Sequence, residues 1–83
     1  MINAQTISFP FAHSDMQMRV AYTADGDPEY IGRARPSALT SAAEWQIKKI
    51  TYDANRNPTV AAFASGVNDY NKTWDDRATY VYS

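Results

Sequence analysis

The stretch Trp45-Gln-Ile-Lys-Lys-Ile-Thr-Tyr52, followed by Asp53-Ala-Asn-Arg-Asn-Pro58 and then Thr59-Val-Ala-Ala-Phe-Ala64, decides the fold of this chain. Aromatic and β-branched side chains pack well on a pleated surface and lose rotamer freedom in a helix, so both outer runs read as strands. The Asp, Asn and Pro residues between them accept left-handed or fixed turn conformations, which makes the whole a hairpin. Its first strand changes phase. Trp45 and Ile47 share one face while Ile50 and Tyr52 share the other. A β-bulge at Lys48-Lys49 is therefore predicted, turning Trp45, Ile47, Ile50 and Tyr52 all inward as structural residues.

Upstream, Gln17 to Thr23 alternates, with Met18, Val20 and Tyr22 on one face and Gln17, Arg19 and Thr23 on the other, as suits a sheet with one wet face. Ala24-Asp-Gly-Asp-Pro28 is turn chemistry and predicts a hairpin to Glu29 to Ala34. Arg35 to Ala43 reads as a surface connection, although Ser41 to Glu44 has the spacing of a capping box and allows one helical turn. Downstream, Ser65 to Thr73 is polar. It leads to Trp74-Asp-Asp-Arg77, a structural corner in which Trp74 closes one end of the core and Arg77 bonds a carboxylate or backbone carbonyls. A last strand is expected at Ala78 to Tyr82. No internal repeat stands out. The expected fold class is all-β: a small antiparallel sheet, sandwich or open barrel of four to five strands with an extended N-terminal arm.

The arm is residues 1–15, ahead of a single β domain at 16–83. It has no sustained period, and Phe9-Pro10-Phe11 sets a proline between two aromatics, which disfavours a helix. It reads as a docking segment whose Ile7, Phe9 and Phe11 are covered by another chain.

Composition bounds the function. A chain of 83 residues has material for one core. Its apolar fraction of 45% contains a single leucine, Leu39, so aromatic and β-branched residues must build that core. A formal charge of −1 argues against a non-specific grip on nucleic acid, which needs a basic excess. No cysteine is present to staple so small a domain, which points to help from packing or assembly. Neither a signal segment nor a membrane-spanning apolar run is read.

Catalysis finds little to work with. His13 is the only histidine, which leaves no base for a triad and no second imidazole for a metal. Asp75-Asp76 would face opposite ways on a strand, and Asp25-Gly26-Asp27 lacks the spaced acids of a calcium loop. Arg33, Arg35, Lys48 and Lys49 could form a basic patch, and Trp45, Tyr52, Tyr80 and Tyr82 a stacking platform; a core role for these aromatics is the simpler reading. No enzyme activity, cofactor or metal is expected.

The run Ser41-Ala-Ala-Glu-Trp45-Gln-Ile-Lys-Lys-Ile50-Thr-Tyr-Asp53, with Trp74-Asp-Asp-Arg77 and the aromatic C-terminal segment, resembles a family of small structural proteins encoded by tailed bacteriophages. The resemblance runs from Tyr30 to Ser83 and includes Gly32-Arg-Ala-Arg-Pro36 and Asn57-Pro-Thr59. Ser37 stands where members often carry Gly after the proline, and Ala64-Ser65-Gly66 where they carry Ala-Asp-Gly. The resemblance implies a virion component without enzymatic activity. Its partners would be other virion proteins of the capsid, neck or tail, in a homo- or hetero-oligomeric assembly. A different expectation, from the aromatics alone, is a module that recognises host glycans through Trp45 or Trp74.

Overall fold

A computed structural model describes residues 16–83. The protein is all-β: one open antiparallel sheet built from β1 (Gln17–Tyr22), β2 (Pro28–Ala34), β3 (Ala43–Tyr52) and β4 (Pro58–Phe63), side by side in chain order. A two-residue strand, β5 (Lys72–Thr73), pairs with the start of β3. It falls in the stretch expected to be a polar loop.

The sheet is two hairpins of one design. Tyr22, Ala24, Pro28 and Ala34 recur at constant spacing as Tyr52, Ala54, Pro58 and Ala64. The backbone repeats with them. Thr23 N–H donates to Asp27 O at 2.7 Å and Gly26 N–H to Thr23 O at 3.0 Å; Asp53 N–H donates to Asn57 O at 2.9 Å and Arg56 N–H to Asp53 O at 3.0 Å. Both ladders slip at the same step, between Ala21 and Tyr22 and between Thr51 and Tyr52. Gly26 and Arg56, at φ 91° and 65°, occupy the same left-handed turn position. The chain therefore contains an internal repeat, contrary to the sequence reading. What repeats is turn chemistry, while the side chains between the turns differ.

The register fixes two faces. On one lie Arg19, Gly32, Ile47 and Ala64 in a row, with Ala21, Tyr30, Lys49 and Ala62 in the next. Around Gly32, Ile47 and Ala64 this face is covered, while Arg19 at its edge is exposed. Trp74 opens a 3-10 helix (Trp74–Thr79), and its ring packs 5.7 Å from that of Trp45. Small residues make room for the two indoles: Ala34, Ala38 and Ala64 are buried beside Trp45, Ile47 and Trp74. Gly32 is needed for space, because a Cβ there would sit 2.6 Å from the Trp74 ring and 3.1 Å from Trp45. Trp45 Nε1 donates to Leu39 O at 3.0 Å, so the buried indole leaves no unpaired donor.

Several expectations are corrected. No bulge occurs at Lys48-Lys49. Ile31↔Lys48, Tyr30↔Lys49, Lys48↔Phe63 and Lys49↔Ala62 run without a break, and β3 alternates from Trp45 to Tyr52 with its own irregularity earlier, between Ala43 and Trp45. Ile50 and Tyr52 therefore lie on the face opposite Trp45 and Ile47, each half-buried. In β1 the apolar side is the outer one: Met18 and Tyr22 are exposed, while Ala21 packs against the core. The helical turn allowed at Ser41 to Glu44 does not form, since β3 already begins at Ala43. The strand expected at Ala78 to Tyr82 is replaced by the 3-10 helix and a single bridge, Ala64↔Tyr82. The arm at residues 1–15, with Ile7, Phe9 and Phe11, lies outside the described residues.

Candidate functional site

The second sheet face carries Met18, Val20, Ile31, Ile50, Tyr52 and Phe63, side by side by register, with Arg33, Gln46 and Lys48 among them. None of these side chains is fully buried, and Met18 is 41% exposed. Strand alternation puts them there, because every second residue must face away from the indoles. Lys48 Nζ stands 5.8 Å from the centre of the Phe63 ring, a cation over an aromatic face. The face is thus mostly apolar, with Lys48 between Ile31 and Phe63 and Arg33 beside Met18.

At one end of this sheet the two hairpin turns are tied together. Arg56 Nε and one of its terminal nitrogens reach the two Asp27 carboxylate oxygens at 2.9 and 3.0 Å, and the same terminal nitrogen donates to Asp25 O at 2.9 Å. The guanidinium holds the Asp27 carboxyl below its ordinary value. Asp53 is lowered as well, chiefly by the Asn57 N–H it accepts, with the Asn55 N–H adding to it. Tyr52 donates from its hydroxyl to Pro28 O at 2.5 Å, joining the second hairpin to the first.

The opposite end is closed by aromatics. Arg77 lies 4.8 Å over the Trp74 ring and 6.0 Å from Tyr30, and donates to Trp74 O at 3.2 Å, a backbone carbonyl and not a carboxylate. Tyr82 donates to Arg77 O at 2.6 Å, and burial, with Tyr30 and Tyr80 nearby, pushes its phenol up to about 12. Asp75 and Asp76 are exposed in the first turn of the 3-10 helix. A cleft of about 270 Å³ is lined by Met16, Arg35, Glu44 and Tyr70. Arg35 Nε stands 2.9 Å from Glu44 Oε1 across it, an ion pair without hydrogen-bond alignment.

Trp45 and Trp74 are 0% and 6% exposed, so neither presents a ring to a glycan. The large exposed aromatics among the described residues are Tyr22 and Tyr70. The basic patch is also dispersed. Lys48 lies over Phe63 on the open face, Lys49 over Tyr30 on the covered one, and Arg35 pairs with Glu44. Among the described residues no three His, Asp or Glu side chains stand close enough to hold a metal, and no helix is long and apolar enough to cross a membrane. The sequence reading missed the open face because it sent Ile50 and Tyr52 inward through a bulge. Alternation groups Met18, Val20 and Tyr22 on one face, but it does not say that this face is the outer one.

No family model, no curated protein and no solved structure matches this chain.

Proposed function

We propose that this chain is a non-enzymatic structural component of a tailed-phage virion, which decorates or bridges larger head, neck or tail proteins. One observation carries the docking part of this reading: the sheet keeps an apolar face, Met18 to Phe63, uncovered by any described element. A small monomer seldom leaves such a face to water, and Met, Arg and aromatic side chains of the kind it carries are enriched where proteins meet. The virion part rests on the resemblance of Ser41 to Asp53 and Trp74 to Arg77 to phage structural proteins.

In this reading the face seats on a larger virion protein, and the arm, through Ile7, Phe9 and Phe11, extends the contact. Quantitative mass spectrometry of purified particles tests it. The chain is expected at a fixed ratio to the major structural proteins, and its absence from particles of a phage that expresses it in infected cells would sink the proposal.

A further inference from the structure

Within the chain, two hairpins of one design are joined edge to edge, β2 against β3. A repeat of this kind leaves two outer edges equivalent to the pair already joined: β4 corresponds to β2, and β1 to β3. We infer that copies of this chain add to one another head to tail, β4 of one against β1 of the next, continuing the sheet by the join that holds β2 to β3. The inference stands on the repeat and goes beyond the virion reading, since it holds wherever the protein resides.

The peptide groups are placed for it. Ala64 N–H donates to Ile47 O at 2.9 Å. With Lys49↔Ala62 and Thr51↔Val60, this turns the peptides of Val60 and Ala62 toward β3 and those of Thr59 and Ala61 outward. The matching turn and register of the first hairpin direct the peptides of Arg19 and Ala21 toward β2, and those of Met18 and Val20 outward. Neither outer edge has a strand partner among the described residues. The C-terminal residues cover β4 only from Phe63 onward, where Ser83 N–H donates to Phe63 O and Tyr82 bridges Ala64.

The internal join also gives the register. Ile31 stands opposite Lys48 and Tyr30 opposite Lys49. The equivalent positions put Ala61 opposite Met18 of the next copy and Val60 opposite Arg19. The side chains fit. Met18 and Val20 would meet Ala61 and Phe63 on the open face, and Tyr22, exposed at 61%, would donate to Pro58 O as Tyr52 donates to Pro28 O. The turn contact is lost, because Gly26 and Asn57 replace Arg56 and Asp27. A second observation supports the same occupant: β4, Pro-Thr-Val-Ala-Ala-Phe, has no charged residue, and Val60 is 53% exposed. Pro58 and the register slip beside it guard only the start of this edge; from Val60 to Phe63 it has none of the charge that ordinarily protects an unpaired edge. A contact between two different edges is heterologous, so it builds rings or open filaments and not closed pairs.

The native chain has no cysteine, so engineered thiols report this contact alone. Arg19 and Val60 of one copy lie on opposite edges, three strand spacings or about 14 Å apart, too far for a disulfide within the chain. Full-length Arg19→Cys and Val60→Cys chains are to be mixed, oxidised and run without reductant, beside each variant alone. The mixture is expected to give several-fold more disulfide-linked dimer than either alone, and Ala61→Pro, which removes only an outward N–H, should suppress it without moving the melting temperature. Gln17→Cys with Ala62→Cys repeats the test at the next rung should either first variant fold poorly. Self-linking of one variant as strong as the mixed product would assign a symmetric contact, and no linking in either pair would assign free edges; both results overturn the inference.

Discussion

Gly32 shows how one residue sets the packing of the rest. Its missing side chain is where the Trp74 ring lies, so Gly32→Ala forces one indole to move and is expected to cost about 1 to 3 kcal/mol, read from the denaturant midpoint. A comparison of two isoleucines tests the assignment of faces. Ile47 is 1% exposed in the core and Ile50 half-buried on the open face, so Ile47→Ala should cost about 2 to 5 kcal/mol and Ile50→Ala clearly less. Equal losses would restore the inward Ile50 that a bulge requires. Tyr82 supplies a pH signature. Its folded phenol titrates at about 12 against an ordinary value of 10.0, so the stability it lends is whole below pH 10 and lost as pH rises through 12. Tyr82→Phe should flatten that alkaline slope in a plot of midpoint against pH. At this scale Trp45, Ile47 and Trp74 were legible from the sequence, because a chain with a single leucine has few other large apolar side chains to bury. Gly32 was not, since a glycine inside a strand gives no sign of which ring will lie on it.

The hairpins are where the sequence was most informative, and the helix where it was least. Asp-Gly-Asp-Pro28 and Asn-Arg-Asn-Pro58 announce their turns through residues that tolerate left-handed backbone, and the four main strands fall close to where alternation and turns place them. Which face they bury was not legible in β1. Alternation says that Met18, Val20 and Tyr22 lie together, and the position of the indoles on the other side decides that they lie outward. The final strand failed for a similar reason. Trp74 must reach across Gly32, and the backbone turns tightly behind it, with Arg77 donating to Trp74 O and Thr79 Oγ1 to Asp76 O. The turns themselves have an acid signature. Asp27 and Asp53 both titrate below 3.8, so the stability they give is present above that value and lost as pH falls through their lowered folded values. Asp27→Asn is expected to reduce the acid-side loss of melting temperature. An unchanged acid slope would mean that the Arg56 bridge contributes nothing in solution.

For the whole molecule, the two faces differ in burial: one builds the core and the other is left open, which is what the docking proposal rests on. That division was not legible in the sequence, because a bulge and strict alternation are equally consistent with Trp45 to Tyr52 read alone, and only the register across β2 and β4 separates them. It also bears on Ile7, Phe9 and Phe11, whose substitution by alanine is expected to lower incorporation into particles while leaving the melting temperature of the free protein within about 0.5 kcal/mol equivalent of the parent. The central claim is that the open face is the docking surface. Lys48 and Lys49 provide an internal comparison, since they are neighbours in sequence on opposite faces, over Phe63 and over Tyr30. The most direct measurement is lysine acetylation of the free protein and of purified particles, read residue by residue by mass spectrometry. Lys48 is expected to be acetylated in the free protein and protected in particles, with Lys49 little changed; equal labelling of Lys48 in both states would rule out docking through the open face.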